Sequence, residues 1–214
     1  MTRASFVGTI KLSDFAYVGD PCKVMDEWGF LNVLPGFYNV YAITEMVSRP
    51  MCSALVLKHV DYESGLAKRF SRVSMSDIVV ESKRCGIYCA DAFPFWGEER
   101  DLADSEFAKI SLDARGAISR SGGGNGKYGL YSVSNDSGER VALLLDYLLT
   151  FSVQSFAFIN ILQQENLNEF PDPNEYEIYQ GPVEEWDTPE HGVKISDAMD
   201  AIIAKMNKML GGNA

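Results

Sequence analysis

The run Gly122-Gly123-Gly124-Asn125-Gly126-Lys127 is where this chain comes nearest to a familiar piece of chemistry. A phosphate-cradling loop combines clustered Gly, whose backbone N–H groups can turn inward, with a Lys and a metal-holding Ser or Thr after it. Here Ser121 stands where the first Gly belongs, and Tyr128 where the hydroxyl belongs. Without them the run reads as the glycine-rich entry to a hairpin, leaving only a weak anion nest. Asn125 and Lys127 stay candidates for ligand contact together with Asp20 and Asp91, which follow the two most similar strand segments. If those strands adjoin, the two carboxylates could share a proton or a divalent ion. The plain alternative is that each caps its own turn.

Four cysteines and two histidines allow a second chemistry. Cys85 and Cys89 would share one face of a strand, and with Cys22 and His59 could surround zinc. Zinc ligands come as two tight pairs, and only one loose pair is present, so neither a metal nor any other cofactor is expected. A Cys–His nucleophile could be drawn only from Cys22 or Cys52 with His59 or His191, and no local pattern favours any pairing. Free thiols of this kind pack as small hydrophobes in a reducing compartment. No apolar leader follows Met1, so a cytoplasmic location is the expectation.

The elements that must position these groups read mostly as strands. Tyr128, Leu130 and Ser132 alternate with Gly129, Tyr131 and Val133; a polar Asn135–Gly138 turn follows, then an aliphatic return from Val141 to Leu145. That is the pattern of a β-hairpin. The first half carries the same phrases in the same order. Phe15–Asp20 matches Gly86–Asp91, Gly36–Tyr41 matches Gly126–Tyr131, and Ala54–Leu57 matches Ala142–Leu145. Three matches in order predict an internal duplication. The expected fold is α+β and β-dominated: a first β unit over 1–76 and a second over 77–162, with an inserted helix near Asp101–Ala108. An acidic extended strap over 163–194 and an amphipathic C-terminal helix over 195–214 complete one body. The charged run from Asp61 to Ser74 is expected to be a connection.

The 214 residues carry a net charge of −11, with a pI near 4.6. That disfavours direct nucleic-acid binding and attachment to anionic lipid. Val141 to Leu162 is long and apolar, but Asp146 within it would be costly in lipid, so no membrane span is expected. From Gln163 to His191 there are nine Asp or Glu and no Lys or Arg, with Phe170, Tyr176, Ile178, Tyr179 and Trp186 interleaved. Such a stretch fits a surface that meets a protein partner. The expected contacts are Phe93, Phe95 and Trp96 of the Ala92–Gly97 loop, together with Tyr176, Tyr179, Glu184, Glu185, Trp186 and Asp187.

Gly19-Asp20-Pro21-Cys22, followed downstream by Gly124–Tyr131 and Asp136–Val141, resembles a group of bacterial and phage proteins of unassigned function. In that group a G-D-P-C-Y motif precedes a G-D/N-G-x-Y-x-V-Y hairpin and an aliphatic strand. The match covers about a quarter of the chain. It departs where Lys23 replaces the aromatic residue and where a further copy separates the two motifs. The resemblance implies a β-rich, phage-encoded accessory protein and carries over no activity. The leading expectation is therefore a non-enzymatic binding protein. The alternatives are a small-ligand or nucleotide binder, even a hydrolase, using a crevice between the β units, and a virion or assembly component acting by self-association as a homo-oligomer.

Overall fold

A computed structural model describes residues 2–22, 29–46, 50–62, 69–73, 78–92, 102, 106–147, 158 and 161–162. Twelve strands are present among them: β1 (Thr2–Leu12), β2 (Phe15–Gly19), β3 (Phe30–Asn32), β4 (Gly36–Met46), β5 (Pro50–His59), β6 (Arg69–Arg72), β7 (Ile78–Val80), β8 (Arg84–Cys89), β9 (Ala108–Ser111), β10 (Gly116–Arg120), β11 (Gly126–Ser134) and β12 (Arg140–Asp146). They form two antiparallel sheets. The larger runs β1-β4-β5-β12-β11-β6, with β7 pairing β11 beyond β6, and the smaller runs β3-β2-β8-β10-β9. The acidic strap and the C-terminal helix lie outside the described residues.

Alternation decides which face each strand presents. Ala16 and Val18 of β2, Ile87 of β8, Tyr38 and Val40 of β4, and Tyr128 and Leu130 of β11 point into the core between the sheets. The opposite residues Tyr41, Ile43, Val56, Tyr131, Val133 and Leu144 form a second core on the outer face of the larger sheet. The helical residues Phe158, Ile161 and Leu162 cover that face. Both faces of β5 and β12 are thus buried, which is why these strands read as unbroken apolar runs. Within the span-like stretch from Val141, Val141–Asp146 is thus part of a central strand, and Phe158, Ile161 and Leu162 lie over the outer face. No helix among the described residues is long and apolar enough to cross a membrane.

Two expectations need correction. The charged run after Asp61 is not a plain connection, because Arg69–Arg72 forms β6 along β11, with Phe70 stacked on Tyr131 at 5.7 Å. Long charged side chains at a sheet edge masked the strand pattern. The insertion after Gly97 contains a hairpin: Ala108, assigned to the end of a helix, opens β9, which pairs with β10. Of the remaining predicted helix, Leu102, Glu106 and Phe107 are described and none is helical, while Asp101, Ala103, Asp104 and Ser105 lie outside the described residues.

The register carries information beyond strand order. Tyr17 pairs directly with Tyr88 and Val18 with Ile87 in the smaller sheet, and Val56 pairs with Leu144 in the larger. β1 lies along β4 as β7 and β6 together lie along β11: Leu12 faces Gly36 as Val80 faces Gly126, and Ile10 faces Tyr38 as Ile78 faces Tyr128. The Tyr38 hydroxyl donates to the carbonyl of Leu34, four residues back, at 2.7 Å. The Tyr128 hydroxyl does the same to Gly124 at 2.8 Å.

Candidate functional site

Chemistry-bearing side chains of the described body concentrate around the turn Glu81-Ser82-Lys83, between β7 and β8. Asp20 leaves the end of β2, where Pro21 stops the ladder, and turns inward to 1% exposure. Its Oδ1 accepts the Cys22 N–H at 2.8 Å and the Ser82 hydroxyl at 2.6 Å. Its Oδ2 accepts the N–H groups of Glu81 and Ser82, both at 2.7 Å. From the other side, Asn125 Oδ1 accepts the Lys83 N–H at 3.1 Å, while the Lys83 carbonyl takes the Ser121 N–H at 3.0 Å. Three consecutive backbone donors are therefore held by two side chains remote in sequence. Burial alone would raise the Asp20 pKa. The Ser82 hydroxyl and the three N–H groups outweigh it and hold the carboxyl below its ordinary value.

This geometry gives Asp20 the role of a clamp between β2 and the β7–β8 turn. Its predicted partner is elsewhere. Asp91 lies exposed on the short 3-10 turn Ala90–Ala92. Because β2 and β8 run antiparallel, Gly19 pairs with Gly86 at one end and Ala16 with Cys89 at the other. The two carboxylates therefore leave from opposite ends of the ladder, roughly 15–20 Å apart. At that separation they cannot share a proton or an ion, and Asp20 takes the alternative reading, capping its own turn through the Cys22 N–H. Asn125 is brought to the Asp20 clamp, and Lys127 is exposed two residues on, opposite Val79. The halves meet along the β2–β8 and β5–β12 ladders.

The Gly-rich loop is shaped by close packing. A Cβ on Gly122 would sit 2.1 Å from the Cys52 carbonyl oxygen, so only Gly lets the loop lie against the end of β5. Gly124 has φ +86° and its carbonyl receives the Tyr128 hydroxyl. The Gly124 N–H, one of the groups a nest would need, donates to the Ser121 carbonyl at 2.9 Å.

The zinc candidates are dispersed. Cys85 and Cys89 share the inner face of β8, about 13 Å apart along the strand. Cys22 is exposed at the β2 end of the clamp. His59 ends β5, where its Nδ1 accepts the Asp61 N–H at 3.1 Å and its ring stands edge-on to Tyr38 at 5.0 Å. Nε2 faces the Pro35 carbonyl at 3.4 Å, and Gly36 provides the space. Among the described residues no group of three or more His, Cys, Asp or Glu is placed to hold a metal. Burial pushes the Cys52 thiol up to about 12. Burial, and then the Asp20 charge, raises Cys85 further. Thiols so protonated are weak nucleophiles. Cys52 and Cys85 accompany a buried hydrogen bond between the hydroxyls of Ser119 and Tyr147 inside the core.

On the outer face of the smaller sheet, Tyr17 and Tyr88 lie flat across glycines. Their hydroxyls sit beside Gly19 and Gly86, at the Asp20 end of the sheet, with Leu112 packed against the rings. Sequence reasoning matched these two tyrosines as part of the repeat but gave them no role; the signal of their packing was the Tyr-x-Gly and Gly-x-Tyr spacing in the two segments. Phe15 and Phe30 lie exposed on the same face. The predicted partner contacts Phe93, Phe95, Trp96, Tyr176, Tyr179, Glu184, Glu185, Trp186 and Asp187 lie outside the described residues.

No protein-family model, curated protein or solved structure matches this chain.

Proposed function

We propose that this chain is a non-enzymatic accessory protein, phage-encoded and acting in the host cytoplasm, that holds a protein partner through an acidic, aromatic surface. The observation that carries this reading is the 163–191 segment, with nine carboxylates, no Lys or Arg, and aromatic residues throughout. An acidic surface of that density suits a basic groove on another protein, including one that otherwise receives nucleic acid. The described body supports the reading from the other side. Asp20 is committed to backbone N–H groups, Cys52 and Cys85 to the core, and His59 to a turn. Replacing Glu184, Glu185 and Asp187 together by Gln, Gln and Asn should weaken partner capture, most strongly at low salt. Pull-downs from host lysate along a salt series, with the triple variant as comparator, measure this. Equal recovery of every captured protein by both forms at all salt concentrations sinks the reading.

We also propose that the two β units are copies of one ancestral module, packed about an approximate twofold. Support comes from Tyr17 opposite Tyr88, Val56 opposite Leu144, and the matching hydroxyl contacts of Tyr38 and Tyr128. An isologous dimer fused into one chain would have this pairing.

A further inference from the structure

We propose that Asn125 is a site of spontaneous covalent self-modification that loosens one side of the Glu81–Lys83 clamp. Asn125-Gly126 is the one Asn–Gly pair in the chain. Both residues are exposed where the glycine loop passes into β11. Gly126 has no Cβ to hinder approach of its backbone nitrogen to the Asn125 side chain. The Lys83 N–H on Asn125 Oδ1 draws electron density from Cγ, making that carbon a better electrophile.

The chemistry needs only water. The Gly126 backbone nitrogen gives up its proton and bonds to Asn125 Cγ. The Cγ–Nδ2 bond breaks, and Nδ2 leaves with that proton as ammonia. Water then opens the five-membered imide. Attack at the side-chain carbonyl yields aspartate. Attack at the main-chain carbonyl yields isoaspartate, in which the backbone runs through Cβ and Cγ. The second product displaces the oxygen that held Lys83, so the turn keeps its Asp20 side and loses its Asn125 side.

The chain contains its own comparison. Asn135 also lies in an exposed hairpin turn, but Asp136 follows it. Its side chain is fixed at both ends: Oδ1 accepts the Glu139 N–H at 2.9 Å, and Nδ2 donates to Glu139 Oε2 at 3.0 Å. That amide should persist while Asn125 reacts.

The test holds the folded full-length protein at warm, mildly alkaline pH and maps tryptic peptides by mass spectrometry over time. The Ser121–Lys127 peptide should gain the mass difference between an amide and a carboxyl, and should include an isoaspartyl form. Amide exchange at Lys83 should quicken in proportion. Gly126→Ala should slow the gain several-fold or abolish it without altering the melting point, since a Cβ there meets Tyr128 Oη at an ordinary 3.6 Å. Asn125→Gln is a second variant expected to stop the gain. The proposal is overturned if Asn125 reacts no faster than Asn135, if Gly126→Ala reacts as fast as the parent, or if the change arises only in the denatured chain.

Discussion

Asp20 shows how little a residue's type reveals of its role until its surroundings are known. Gly19-Asp20-Pro21 predicts a capped turn, and the i to i+2 bond to the Cys22 N–H is that cap. The contacts to Glu81 and Ser82 join positions 61 and 62 residues apart, which no local pattern encodes. They have a consequence in acid. The folded Asp20 pKa lies below its unfolded value of about 3.9. Its stabilising contribution is therefore present above that value and is lost as pH falls through the folded pKa. Asp20→Asn should cost roughly 2–3 kcal/mol at neutral pH, because an amide NH2 would face donors. The variant should also lose part of the parent's fall in stability below pH 4. Urea midpoints across an acid series check both, and an unchanged acid profile would remove the clamp.

At the scale of elements, the hairpin between β9 and β10 is the strained one. Leu112, Asp113 and Ala114 have φ of +54°, +50° and +60°, three consecutive left-handed residues without a Gly. Side chains pay about 1–2 kcal/mol each in that region. The conformation is held by its contacts: the Ala114 carbonyl takes the Lys11 N–H at 2.7 Å and the Arg115 carbonyl takes the Cys89 N–H at 2.7 Å. The turn thereby ties β1 of one sheet to β8 of the other. Leu112 also packs on Tyr17 and Tyr88, but Ala114 is exposed. Ala114→Gly should raise stability by about 0.5–1 kcal/mol, the relief of strain being partly offset by greater freedom in the unfolded chain. Denaturant titration decides this, and a loss of stability would contradict the strain. The hairpin escaped sequence reading because its turn lacks the Gly and Asn that mark such turns.

For the whole molecule, the seam between the halves is a ladder. Val56 and Leu144 face each other across it, both fully buried beneath Phe158, Ile161 and Leu162. A body joined this way should unfold in one cooperative transition. Leu144→Ala should lower stability by about 2–4 kcal/mol and shift the entire transition. Val56→Ala combined with it should be non-additive, as expected of side chains in contact. Far- and near-ultraviolet circular dichroism followed together in denaturant will show coincident curves, whereas two separated steps would mean the halves are independent.

For β2, β4, β5, β11 and β12, strand identity and facing were legible in the chain itself. Period-two alternation placed Ala16 and Val18 opposite Tyr17, and Tyr128 and Leu130 opposite Tyr131, because successive side chains of a strand must leave on opposite sides. The Gly-rich loop was legible as a turn for a similar local reason. The pairing of β2 with β8 and of β5 with β12 was decided by tertiary structure, and with it the separation of Asp20 from Asp91 and the meeting of Asp20 and Asn125 on one turn. Alternation is a property of one strand and its solvent; which strands adjoin, and therefore which polar groups meet, depends on burying several such faces at once.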